Sequence, residues 1–256
     1  MILNGESGSV WRWVVCREAV VVRAENAISP RSHMRLVEYL GAKLLPVVAR
    51  HVDMEESKGS TLRRLIIWRL WAAGRRLLER LERRRAEALR RKPTRLMRDL
   101  RSARSVLILC QGNVIRSVFA AQLLSAALEG RRSVSIRSAG LATVPGWRAH
   151  PRVIARCEDL NIDLRGHSSV AVTNTMVETA DVVLVMDLSQ LVVVSRRFFR
   201  ARRKTFLLSC LAPDVPMEVE DPAGKDEAAV DACLAHIAQA LRPVIEIITD
   251  RETTAA

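Results

Sequence analysis

Cys110 and Arg116 stand with five residues between them at the end of an apolar run, in Ser105-Val-Leu-Ile-Leu-Cys110-Gln-Gly-Asn-Val-Ile-Arg116-Ser117. The run reads as a short buried strand, a tight loop and a helix start. A loop that curls from a strand into a helix N-terminus aims successive backbone N–H groups inward, and the helix dipole adds partial positive charge there. Such a nest suits a phosphate-sized dianion. A cysteine at its base feels that field, which favours the nucleophilic thiolate over the thiol. An arginine at the far end can hold two phosphate oxygens with its planar fork. Gly112 permits close backbone approach, and Asn113 tolerates a left-handed conformation. The chemistry expected is attack by a thiolate on phosphorus held in a cradle built by Gln111, Gly112, Asn113, Val114, Ile115 and Ser117. Buried cysteines are also common as inert packing residues, so the loop needs support from elsewhere in the chain.

A phosphate ester needs a proton donor for its leaving group. The strongest candidate is Asp221, in Glu220-Asp221-Pro222. Pro222 fixes its own φ and restricts the residue before it, which helps hold a carboxyl in place. Asp-Pro is equally a common turn dipeptide, and only the cysteine loop tips the reading toward chemistry.

These residues must be positioned by an alternation of strands and helices. Val106–Leu109 is the first expected strand, and Val118–Glu129 a helix ending at Gly130. Val134–Arg137 is the second strand. His150–Asn161 reads as a helix with Pro151 just inside its start, and Thr173-Asn174-Thr175 opens a shorter one. Asp181–Met186 is a continuous apolar strand, as expected when both sheet faces are covered. Leu188–Arg200 is helical, Thr205–Leu208 is the fourth strand, and Asp226–Ile248 is a long last helix containing Pro243. The pattern predicts an α/β fold, a four-stranded parallel sheet flanked by helices on both faces, preceded by a mostly helical basic N-terminal extension. Ligands of such sheets sit beyond the carboxyl ends of the strands, where the loops of Cys110 and Asp221 emerge.

Charge divides the chain in the same place. The formal net charge is +13, yet residues 105–256 hold 17 Lys+Arg and 17 Asp+Glu, whereas residues 61–104 hold 16 against 4. The basicity therefore belongs to an arm. Three regions are expected: 1–60, which carries little signal; 61–103, a basic amphipathic helical arm or linker; and 104–256, the catalytic domain. In 1–60, Val14-Val15 and Val20–Val22 suit short strands, 35–50 suits a helix, and Met34 and Met54 are later start codons to consider. Residues 61–92 read as one helix, with Ser60 as its N-cap and Pro93 as its stop. Its apolar stripe runs through Leu62, Leu65, Ile66, Leu70, Ala73, Leu77 and Leu81, flanked by arginines. Such a helix can pack on its own domain, lie on an anionic membrane surface, or dock an acidic partner. No zinc-finger, homeodomain or aromatic RNA-binding signature supports nucleic acid.

The five cysteines are scattered and lack metal-ligand spacing. That argues against a disulfide framework or a zinc site and for a reducing compartment. There is no run of about 18 apolar residues and no secretory signal pattern, so a cytoplasmic protein, peripheral at the membrane if the arm binds it, is expected.

Residues 105–250 resemble the low-molecular-weight protein tyrosine phosphatases along their whole length. The resemblance is carried by Cys110 to Ser117, Ser138-Ala-Gly140, Asn161-Ile-Asp163 with Gly166-His167, Ala180 to Asp187, and Asp221-Pro222, in matching order and spacing. It implies that Cys110 attacks phosphorus and forms a phosphocysteine. It also implies that Arg116 and the loop amides stabilise the transition state, and that Asp221 acts as acid and then base. Ser117 would hydrogen-bond the sulfur, Asn113 and Ser138 would hold the loop, and His167 would support it. No metal or cofactor is implied. The implied partner is a tyrosine-phosphorylated protein, and bacterial relatives often act on tyrosine kinases of exopolysaccharide export.

The chain also departs from the family. Ile115 stands where many members carry a second cysteine, and Ala223-Gly224 where many carry tyrosines that wall the pocket. Val114 is aliphatic, as in tyrosine-directed members, whereas arginine-phosphatase relatives tend to carry threonine there. Two other functions compete. A thioredoxin-coupled arsenate reductase of this fold needs two further cysteines that the window from Ala180 to Leu191 lacks. A non-catalytic phosphoprotein-binding module would have no use for Asp221. Residues 101–256 alone are expected to fold and keep activity.

Overall fold

The structure is a computed structural model that describes residues 2–4, 10–16, 19–24 and 59–250. The helix expected over 35–50 lies outside the described residues. The chain divides into two compact units, Met1–Arg64 and Leu65–Ala256. The first contains an antiparallel sheet of β1 (Ile2–Asn4), β2 (Val10–Cys16) and β3 (Ala19–Ala24), with Val14 opposite Val21.

The second unit begins within α1 (Gly59–Arg91), which is followed by α2 (Thr94–Ser102). Ser60 lies inside the first turn of α1 and is not its cap. Pro93 ends α1 as expected, but then serves as the N-cap residue of α2, which the sequence reading did not anticipate. The sheet follows, as β4 (Ser105–Cys110), β5 (Ser135–Gly140), β6 (Val182–Val185) and β7 (Thr205–Leu207), in the order β5-β4-β6-β7 with every pair parallel. Between and after the strands come α3 (Arg116–Leu128), α4 (Pro151–Glu158), α5 (Asn174–Thr179), α6 (Leu188–Arg197) and α7 (Glu227–Thr249). On one side α3 packs against α4 and α7, and α2 adds to α7; α5 and α6 pack against β4, β6 and β7. A 3-10 helix, Phe199–Lys204, replaces the end of the helix expected to run to Arg200.

The continuous apolar strands are explained by this sandwich. All of β6 is buried, as are the last five residues of β4. α7 is long and apolar enough to cross a membrane, but Val230, Ile237, Leu241, Val244 and Ile248 on it belong to the core. The basic segment is built into the same core: Ala86, Leu96, Leu100 and Ala103 are all buried in it. The stripe expected on α1 faces elsewhere at its end. Leu77 and Leu81 are 57% and 46% exposed, while Glu82 is fully buried. Glu82 is tolerated inside because Arg85 and Arg202 pair with its two oxygens at 3.1 and 2.7 Å.

Candidate active site

β4 is the strand at which the sheet order reverses: the chain moves one way to β5 and the other way to β6. A crevice forms at the carboxyl end of such a strand. Cys110 is the last residue of β4, and Arg116 is the first of α3. The intervening loop is pinned to its neighbours by Leu141 N to Cys110 O at 2.8 Å, Ala142 N to Gln111 O at 3.0 Å and His150 N to Val114 O at 3.0 Å. Thr143 Oγ1 donates to Gly112 O at 2.7 Å. Gly140 makes the close approach possible, since a Cβ there would stand 2.7 Å from the Thr143 side chain and 3.0 Å from Gln111 O.

With these carbonyls engaged, the loop's N–H groups are what remains to meet a ligand. α3 has no side-chain cap at its N-terminus. Among the described residues, no protein acceptor takes the backbone N–H of Gly112, Val114 or Ile115. Orphan donors at a helix start are the elements of an anion site. At Gly112 an added Cβ would meet only the Val114 side chain, at 3.9 Å, so the missing side chain makes room for a ligand and not for the protein.

Cys110 Sγ lies at the base of this cradle, buried, 3.0 Å from Ser117 Oγ and 3.2 Å from the Asn113 backbone N–H. Ser117 Oγ and the Asn113 N–H thus both meet the one sulfur. Asn113 is the keystone. It takes the left-handed conformation, φ 52°. Its Nδ2 donates to Ser117 Oγ at 3.1 Å and to Ser138 Oγ at 2.9 Å, and its Oδ1 accepts Val170 N at 2.9 Å. His167 Nε2 lies 2.9 Å from Asn113 O; a carbonyl only accepts, so Nε2 carries the proton. Ser117, Asn113, Ser138 and His167 therefore form one connected network under the loop.

Arg116 is 3% exposed and turns away from bulk water. Its Nη1 donates to Asp187 Oδ2 at 2.9 Å and to Val219 O at 3.2 Å, and its Nη2 to Asp221 Oδ2. The structure thus brings Cys110, Arg116 and Asp221 to one sheet edge, although Asp221 lies 105 residues beyond Arg116. Ala223 N donates to the other oxygen of Asp221 at 3.1 Å and closes the turn that Pro222 begins.

Asp187 was missed as a functional residue. Its signal was present: it is the acidic residue closing an apolar strand, at the start of a helix. It caps α6 by accepting Gln190 N at 2.9 Å on Oδ1, and uses Oδ2 for Arg116. Thr143 was also missed, because its hydrogen bond to the loop depends on a turn that no local pattern announces.

Grooves of about 450 and 1160 Å³ lie elsewhere, the first lined by Phe119, Leu123, Arg152 and Leu234, the second by residues from Gln122 to Asp163. Neither includes a residue of the cysteine loop. Among the described residues no cluster of His, Cys, Asp and Glu could hold a metal ion.

The family model for low molecular weight phosphotyrosine protein phosphatases matches residues 105–253. A protein of Ralstonia solanacearum described as "Probable low molecular weight protein-tyrosine-phosphatase EpsP" is 32% identical over 136 residues, 52% of this chain and 88% of that one. The protein-arginine-phosphatase of Bacillus subtilis is 31% identical over 120 residues, 46% of this chain and 79% of that one. Among solved structures, the tyrosine phosphatase Wzb from Escherichia coli K30 in complex with sulphate is similar with TM-score 0.52 and 30% identity, over 56% of this chain and 97% of that one.

Proposed function

Since the chain belongs to the low molecular weight phosphotyrosine protein phosphatase family, we propose that it hydrolyses protein phosphotyrosine in two steps through a phosphocysteine. The observation that carries this reading is the convergence of Cys110, Arg116 and Asp221 on one cradle of inward N–H groups.

In the first step the Cys110 thiolate attacks phosphorus in line with the ester oxygen. The S–P bond forms as the P–O bond to the tyrosyl oxygen breaks, and that oxygen takes the proton of the Asp221 carboxyl. The loop N–H groups and the Arg116 fork hold the three equatorial oxygens, whose charge is greatest in the transition state. An incoming dianion competes with Asp221 for Arg116 Nη2, and the released carboxylate takes up a proton from solvent before it acts as acid. In the second step Asp221, now a carboxylate, accepts a proton from the attacking water. The S–P bond breaks, inorganic phosphate leaves and the thiolate returns to its bonds with Ser117 and Asn113.

Phosphotyrosine is favoured by the aliphatic Val114 and by similarity to tyrosine phosphatases. Phosphoarginine is the second reading, supported by the similarity to the Bacillus subtilis protein-arginine-phosphatase. The natural substrate is a tyrosine-phosphorylated protein, with a bacterial tyrosine kinase the first to try. A reducing cytoplasm suits the thiolate. The test is p-nitrophenyl phosphate hydrolysis without added metal by wild type, Cys110→Ser and Asp221→Ala, followed by phosphotyrosine and phosphoarginine peptides. Activity abolished at Cys110 and cut by about 100-fold or more at Asp221 supports the mechanism. A folded but inactive wild type overturns it.

A further inference from the structure

The matched family region begins at residue 105, so α1 is an addition to it. The last turns of α1 face the loop that carries Asp221. Arg90 Nη2 lies 2.8 Å from Ala212 O, 2.8 Å from Pro213 O and 2.6 Å from Val215 O. Three carbonyl dipoles aimed at one point repel one another unless a cation sits among them, and the guanidinium does. Two turns earlier, Arg83 pairs with Glu218 at 3.2 Å, and the other oxygen of Glu218 accepts Leu188 N at 3.0 Å. The Arg83–Glu218 pair is exposed and contributes little. Arg90 is the stronger anchor.

The loop needs anchors. From Ala212 to Asp226 it has no regular secondary structure, and a carboxyl on a long loop is aimed only as well as its supports are fixed. Beyond the Arg90 contacts, His236 Nε2 meets Pro216 O at 3.1 Å, and Val219 N donates to Met186 O at 2.8 Å. Val219 O accepts from Arg116, two residues before Asp221. Separate anchors therefore hold the loop along its length, from the Arg90 contacts to Val219 and the acid.

We propose that Arg90 is a positioning residue for the general acid: α1 docks on the loop from outside, and its guanidinium gathers the three carbonyls that set the arc leading to Asp221. This rests on the reading of Asp221 as the acid. Arg90 bonds only to carbonyls of this loop and to no residue of the cysteine loop, so its effect on the chemistry passes through the loop that carries Asp221.

The test uses the full-length chain and kcat/KM, which reports phosphoryl transfer to Cys110. An acid matters most when the leaving group is poor. Arg90→Ala is expected to lower kcat/KM for phenyl phosphate by about 10- to 100-fold while p-nitrophenyl phosphate, with its better leaving group, changes much less. Arg90→Lys, whose ammonium carries three donors, recovers most of the loss. Added to Asp221→Ala, Arg90→Ala has no further effect. Hydrogen exchange rises in residues 211–222 and not in 105–117. An equal loss on both substrates, or a loss that adds in full to that of Asp221→Ala, overturns the proposal. If Asp221→Ala itself shows no dependence on the leaving group, the acid assignment fails and takes the proposal with it, by a measurement separate from any failure at Arg90.

Discussion

Arg116 Nη1 and Asp187 Oδ2 are 2.9 Å apart, and they join the start of α3 to the start of α6 across the sheet edge. The arginine is almost wholly buried and Asp187 is 20% exposed at its side chain. In that setting the pair does more than a surface ion pair would, because an unpartnered buried guanidinium is costly. Asp187→Asn keeps an acceptor for the α6 cap but loses the charge. It is expected to cost about 1–3 kcal/mol in urea unfolding, below the range for a fully buried pair. By freeing the Arg116 fork to rotate, it should also lower kcat/KM by about tenfold or more. Wild-type kinetics in this variant would show that Asp187 only caps a helix.

Asn113 combines a backbone demand with a side-chain demand, and two substitutions separate them. Asn113→Gly accepts the φ of 52° but removes the bonds to Ser117, Ser138 and Val170. Asn113→Ala removes the same bonds and adds the left-handed strain, about 1–2 kcal/mol. Both should lose activity, and Asn113→Ala should also melt lower. Equal melting points would mean that the loop relaxes out of the left-handed region without cost.

Sequence alone conveyed most of the sheet and the chemical loop, for physical reasons. A fully buried parallel strand must be apolar throughout, so Val106–Leu109 and Val182–Val185 stood out. A cysteine, a glycine and an arginine at a strand-to-helix junction have few other uses. What it did not convey was long-range. Asp187 and Thr143 act through partners 71 and 31 residues away. The inner face of α1 was misread at its C-terminal end. A buried, paired Glu82 and an exposed Leu81 reverse the usual pattern, and one of the two arginines that make the arrangement stable, Arg202, lies 120 residues downstream.

The packing of α2 argues against the expectation that residues 101–256 suffice. Leu96 and Leu100 are at most 1% exposed and belong to the core. Removing a buried leucine costs about 2–5 kcal/mol even when the rest of its side chain's surroundings stay. A chain starting at residue 101 loses both, together with Ala86 and the Arg90 contacts. It should be insoluble, or should unfold at far lower urea concentration. A chain starting at residue 78 keeps them and should retain the wild-type transition. A stable, active 101–256 fragment would show that α1 and α2 are dispensable cladding.

The buried thiols of Cys157, Cys210 and Cys233 set a pH limit on the fold. Burial pushes the Cys157 thiol from 9.0 up to about 11. It pushes Cys233 up to about 12, with Arg116 nearby pulling the other way. Cys210 is raised by burial too. In the unfolded chain these thiols ionise near 9.0, while in the folded chain Cys157 keeps its proton to about 11 and Cys233 to about 12, and Cys210 is shifted in the same direction. The unfolded state therefore loses protons first, and stability falls as pH rises above about 9, by up to about 1.4 kcal/mol per pH unit for each thiol. Below pH 8 these groups contribute no slope. Urea midpoints measured from pH 7 to 10.5 should show this decline. Cys233→Ala, although less stable at neutral pH, should show a shallower one. The proposed cradle makes a separate prediction: iodoacetamide at pH 7 labels Cys110 before Cys157, Cys210 or Cys233, and inorganic phosphate, held in the cradle above the sulfur, slows that labelling. Equal labelling of Cys110 and Cys157, or labelling of Cys110 indifferent to phosphate, would contradict a thiolate seated beneath an anion site.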